Sequence, residues 1–143
     1  MSGPGYSSLP APKIEEEKLK EYRSIYEELL GFVPPRIQAR TDILARLDPE
    51  FLSLQEEIRK RGMYPDVFDV KTVQLMLFGM LLLSLRDAAR IHGIAARRAG
   101  ATWEEMQAVV NLAYLYGGLS AANIGAQFIQ QIAEMEAEQE SES

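Results

Sequence analysis

The 143-residue chain has no cysteine, and that absence removes structural disulfides, thiolate metal sites and thiol redox chemistry together. It carries one histidine and one tryptophan, His92 and Trp103. With one imidazole and no nearby acidic pair at ligand spacing, no metal is expected. No stretch alternates apolar and polar residues or shows the Val, Ile and Thr enrichment of a strand. Excess positive charge is also missing, because 15 Lys and Arg stand against 21 Asp and Glu for a formal net charge of -6. That balance argues against phosphate-backbone binding, so nucleic acid is not expected as a partner. The most apolar run, Leu75 to Leu85, contains Gly79 and Ser84 and is followed at once by Arg86 and Asp87. It is too short to span a bilayer and reads as a buried helix. The opening MSGPGYSSLPAP lacks the basic start and apolar stretch of a signal peptide, and the expected location is cytoplasmic.

What is present is helical periodicity between recognisable stops. Residues 1–12, rich in Gly, Ser and Pro, read as a disordered arm. Pro12 suits a helix start, and Leu19, Tyr22, Ile25, Tyr26, Leu29 and Leu30 recur at helical spacing until Gly31. A second helix is expected over 36–47. Asp48 and Pro49 open a third that Gly62 closes, and Asp69 opens the long apolar helix. Thr102 and Glu105 fit a capping box, and Arg97, Arg98 and Gly100 fit the preceding helix end. The helix from Trp103 is expected to break at Gly117 and Gly118, with a last helix over 120–135. The spaced glutamates of 136–143 read as an acidic, disordered and solvated tail. The expectation is a single all-α domain over 13–135.

Helical geometry applied from Leu85 to Ala99 places Arg86, Arg90 and Arg97 on one face. His92 falls opposite them, beside Leu85, Ala88, Ala95, Ala96 and Ala99. Small neighbours allow another helix to approach, and desolvation of an imidazole lowers its pKa, which suits a general acid or base near neutrality. A packed, hydrogen-bonded core histidine is the ordinary alternative. Arg86 and Arg90 could bind carboxylates or form a solvated or paired surface. Asn111, Tyr114, Tyr116 and Asn123, around the glycine turn, need partners if buried, from a ligand or from neighbouring helices.

The order of a long apolar helix, RIHGIAARRAGAT followed by WEEM, and YGGLSAAN resembles the carboxymuconolactone decarboxylase family, which includes the AhpD-like alkylhydroperoxidases. The resemblance covers about 69–132. It implies an AhpD-like helical fold that assembles as a homo-oligomer, a trimer or hexamer, with sites near subunit contacts. In the peroxidase branch a Cys-x-x-Cys pair precedes the histidine. If His92 is that histidine, the matching positions are Leu85 and Ala88, so thiol peroxidase chemistry is excluded. The decarboxylase branch implies a cofactor-free lyase acting on a carboxylated lactone, or a related ring-derived compound, in aromatic catabolism. Its chemistry needs a carboxylate anchor, a donor for the lactone carbonyl and a proton source. The residues assigned are His92 for the proton, Arg86 or Arg90 for the carboxylate, and Tyr116 or Asn123 for the carbonyl. The apolar character of 74–85 favours a less polar substrate if that helix lines the pocket. The competing reading is a catalytically inactive oligomer that binds a small apolar ligand or a protein partner.

Overall fold

The computed structural model describes residues 8–142. Among them are six α-helices and no strand: α1 Glu16–Leu30, α2 Pro35–Leu47, α3 Pro49–Met63, α4 Val70–Leu83, α5 Ala88–Arg98 and α6 Trp103–Glu142. The protein is all-α. Within the span expected as one domain, the helices cluster into two compact units that divide between Met63 and Tyr64.

The first unit holds α1, α2 and α3 around Leu19, Ala45 and Leu52, with Ile14, Tyr22 and Leu44 packed against them. Helix α1 starts at Glu16 and not at Pro12, because the chain before it bends and is tied to α2. Lys13 N donates to Ala45 O at 2.8 Å, and the buried Arg46 donates through Nη1 to Pro10 O at 3.0 Å. Residues 8–12 of the expected arm are thereby tied down at Pro10, whereas residues 1–7 lie outside the described residues. At the other end of α1, Gly31 takes the left-handed conformation that its stop signal requires, with φ 86°. Asp48 caps α3, its Oδ1 accepting from Phe51 N at 3.1 Å. Helix α3 runs through Gly62 to Met63, because a mid-helix glycine weakens a helix without ending it and Gly62 has no positive φ here.

A buried polar network joins the three helices of this unit. Tyr26 OH donates to Glu56 at 3.0 Å, and Arg40 donates to the Tyr26 oxygen at 2.9 Å and to Glu56 at 2.8 Å. Glu56 is only 5% exposed, so this pairing is what makes its burial tolerable.

In the second unit, Asp69 caps α4 by accepting from Thr72 N at 2.7 Å. The helix ends in a Schellman arrangement: Leu85 N bonds to Leu82 O at 3.1 Å, and Arg86 N bonds to Leu81 O at 2.9 Å. Leu85 occupies the left-handed position, with φ 55°, where glycine is usual. Helix α5 ends the same way at Gly100, φ 103°, with Gly100 N to Arg97 O and Ala101 N to Ala96 O both at 2.9 Å. The capping box then forms as expected: Glu105 N donates to Thr102 Oγ1 at 3.0 Å and Thr102 N to Glu105 Oε1 at 2.9 Å.

Helix α6 is two arms folded back on each other. A Cβ built on Gly125 would stand 2.7 Å from a Val110 methyl. Fifteen residues of straight helix would separate the two by about 22 Å. The reversal sits at Gly118, whose φ of 74° and ψ of -166° are non-helical, and it realises the break expected at Gly117 and Gly118. The open end is fastened to α5. Arg97 reaches Glu136 through two bonds of 2.9 and 2.7 Å, donates to Ala101 O, and lies 3.7 Å from the Trp103 ring centroid. Helix therefore continues, exposed, to Glu142 where a disordered tail is expected from sequence, since Glu136 is held by a charged partner that local composition does not show.

Two outcomes are expected. Gly118→Ala forces a side chain into a region that is essentially glycine-only and should destabilise the protein by about 1–3 kcal/mol in urea unfolding. Burial pushes the Tyr26 hydroxyl up from its ordinary 10 to about 12, with Glu56 adding to the rise against Arg59 and Arg40. The neutral phenol is the folded form, so its contribution is complete below pH 10 and fades as pH rises toward 12. Tyr26→Phe should flatten the alkaline decline of stability in that window, read from denaturation midpoints at stepped pH.

Candidate functional site

His92 lies on α5, partly buried; of the small and apolar residues expected beside it, Ala95 and Ala96 are packed, whereas Leu85, Ala88 and Ala99 are exposed, because α5 begins only at Ala88 and ends at Arg98. Ala89, Ala95 and Ala96 are fully buried. A Cβ on the neighbouring Gly93 would meet Ile132 of α6 at 2.8 Å and Phe78 of α4 at 3.3 Å. Helix α5 is thereby held against both neighbours at the turn that carries the histidine.

The contact that defines the site is between α4 and α5. His92 Nδ1 stands 2.7 Å from Oε1 of Gln74, a side chain with no exposed surface. Because the amide oxygen can only accept, Nδ1 carries the proton, and Nε2 is the basic nitrogen of the neutral ring. Gln74 is absent from the sequence-derived site. The available signal was a lone amide, after Lys71 and Thr72, where the helix turns apolar and a polar group must find a partner.

The other expected residues are placed differently. Arg86 is exposed in the link between α4 and α5, not on the helical face shared by Arg90 and Arg97, because the left-handed Leu85 ends α4 and α5 begins only at Ala88. Arg90 and Arg97 do share a face of α5, opposite His92. Arg97 is committed to Glu136 and Trp103. Arg90 lines a polar groove of about 520 Å³ with Asp87, Gln127, Gln131, Glu134 and Glu138. Tyr116 is 90% exposed beside the α6 reversal, and Asn123 is exposed on the second arm.

A second concavity of about 560 Å³ runs between α4 and the first arm of α6, over Leu75, Met76, Gly79, Met80, Leu83 and Val109. One end is charged, with Lys71 3.0 Å from Glu105. Hydrogen bonds from Thr72 hold the Asp69 carboxyl below its ordinary range, and the backbone N–H of Thr102 does the same for Glu105. Both carboxylates are therefore charged at neutral pH. Their stabilising contribution is present above the usual carboxylate range and is lost as pH falls through their lowered values.

Chemically, the α4–α5 contact supplies one oriented, partly buried imidazole. Residues 49–131 match the family model described as the carboxymuconolactone decarboxylase family. No curated protein and no solved structure matches the chain. No helix among the described residues is long and apolar enough to cross a membrane.

The geometry predicts a single tautomer. As His92 is the only histidine, imidazole ¹⁵N shifts of the whole protein report on it alone, and the neutral ring should be protonated at Nδ1. Gln74→Leu removes the acceptor and should shift the population toward the Nε2-protonated form. A wild-type ring already protonated at Nε2 would contradict the assignment.

Proposed function

The chain belongs to the carboxymuconolactone decarboxylase family, and from that premise we propose that it is a cofactor-free, homo-oligomeric cytoplasmic lyase that removes carbon dioxide from a carboxylated lactone or a related ring-derived acid of aromatic catabolism. The observation that carries the reading is the His92–Gln74 hydrogen bond, which orients the only imidazole of the chain from a buried amide.

In such a reaction the carbon–carboxylate bond breaks, and its electron pair moves into the conjugated lactone carbonyl. Carbon dioxide leaves, and a proton must then reach the carbanionic carbon. The imidazolium form of His92 delivers that proton from Nε2 and is left as the neutral Nδ1–H tautomer, the form that Gln74 accepts from. Solvent returns the proton for the next turnover. Gln74 is a positioning residue: it holds the ring plane and the tautomer without contributing charge. Arg90 lies on the face of α5 opposite His92, in a groove it shares with Asp87, Glu134 and Glu138, so an anchor for the carboxylate of a substrate at His92 would come from another subunit. Arg86, Tyr116 and Asn123 lie on exposed surface, where a contribution to substrate binding would come through contact with another subunit.

The test is loss of carboxymuconolactone absorbance with purified protein. General acid–base catalysis contributes about 10²–10⁴-fold, so His92→Ala should lower kcat by at least ~100-fold while Gln74→Leu lowers it less and alters its pH profile. Equal turnover by wild type and His92→Ala would take His92 out of the mechanism.

A further inference from the structure

The buried residues of α5 are Ala89, Gly93, Ile94, Ala95 and Ala96, and all but Ile94 are alanine or glycine. A contact face of that kind lets neighbouring helices come close. It offers few protruding side chains to lock into their grooves, so it does little to fix how far the helix is turned about its own axis. The bond between His92 and Gln74 is sensitive to that turn. A side chain ends about 5–6 Å from the helix axis, and a rotation of about 10° moves it by about 1 Å. Such a displacement takes the 2.7 Å contact of Nδ1 with Oε1 out of hydrogen-bond range.

The side chain of α5 that is keyed to its surroundings is Arg97. It stands about 7.5 Å along the axis from His92 and about 140° around it. All three guanidinium nitrogens are engaged: Nε and Nη2 donate to the two oxygens of Glu136 at 2.9 and 2.7 Å, and Nη1 donates to Ala101 O at 2.7 Å. The Trp103 ring, with its centroid 3.7 Å from Cζ, covers the same group. Glu136 and Trp103 lie on different arms of α6, on either side of the reversal at Gly118. A planar fork held by two oxygens and a ring has its orientation fixed as well as its position, whereas a lysine ammonium would fix little beyond a distance.

We propose that Arg97 is a positioning residue for His92: locked to both arms of α6, it sets the rotation of α5 and with it the meeting of the imidazole and Gln74. The proposal deepens the acid–base reading of His92 and rests on it, but its first readout is the ring itself and needs no turnover.

Arg97→Lys and Glu136→Gln each break the fork and keep a polar group in place, with circular dichroism checking that helix content is retained. Glu136 sits near the exposed end of α6, so Glu136→Gln reports even where Arg97→Lys lowers stability. Trp103 is the single tryptophan, and its emission should shift in both variants. In the same samples, at alkaline pH where the ring is neutral, the His92 ¹⁵N shifts should move from the Nδ1-protonated form toward a mixture. Gln74→Leu is the control, in which the tautomer changes and Trp103 emission does not. Because Arg97 and Glu136 act as one unit, the double variant should go no further than Arg97→Lys. With carboxymuconolactone, Arg97→Lys should lower kcat by roughly 10-fold or more and leave KM within about twofold, the signature of a misplaced catalytic group. A shifted Trp103 emission with the wild-type tautomer in both variants would mean that Arg97 merely ties the hairpin, and the proposal falls. A shifted tautomer together with equal turnover by wild type and His92→Ala supports Arg97 as the residue that orients the ring and removes only the acid–base reading.

Discussion

The close approach of α5 to α4 and α6 at Gly93 is the constraint on which the second unit depends. Any Cβ at that position would enter the space of Ile132 and Phe78. With Ala89, Ala95 and Ala96 fully buried around it, α5 presents a nearly smooth surface to two helices. Small residues lower the apolar area contributed per side chain, but they shorten the distance between helix axes and gain contact along the whole length. That distance is what allows the Gln74 amide, projecting from α4, to reach the His92 ring. The chemistry of the site is therefore a consequence of backbone proximity, and the hydrogen bond reports that the proximity has been achieved.

The same device recurs inside α6. Gly125 accepts the Val110 side chain, and the reversal at Gly118 makes the two arms antiparallel neighbours. The arms would be free to splay at their far end were it not for Arg97, whose planar guanidinium pairs with Glu136 on one arm and stacks on Trp103 of the other. One side chain of α5 thus closes the hairpin that forms part of its own packing surface. Arg97 and His92 project from opposite faces of one short helix. Fixing the first restrains rotation of the second.

Backbone strain and exposed apolar surface are found at other positions of the chain. Leu85 holds a left-handed conformation between the helices that carry Gln74 and His92, at a position where glycine would sit without penalty. Apolar side chains lie exposed on α3, along the α4–α6 groove and near the α6 reversal. Patches of that kind on a folded chain mark contact surfaces more often than accidents of composition.

The helices themselves were legible because their punctuation is local. Asp48 with Pro49, Asp69, the Thr102–Glu105 box, Gly31 and Gly100 each act within one turn, and each does in the structure what its residue type implies. The arrangement of RIHGIAARRAGAT and YGGLSAAN was likewise sufficient to indicate the family, since it is a pattern along the chain. The break at Leu85 was not legible, because a leucine in a left-handed cap carries no local signal, and so Arg86 was assigned to a face it does not occupy. Gln74 as the partner of His92 was hidden for a different reason. The two are 18 residues apart across that break, and only helix packing decides which groups meet. Local preferences determined where helices begin and end and that the fold is all-α. The tertiary structure alone decided which polar groups leave water together, because that depends on distances between helices that no single segment encodes.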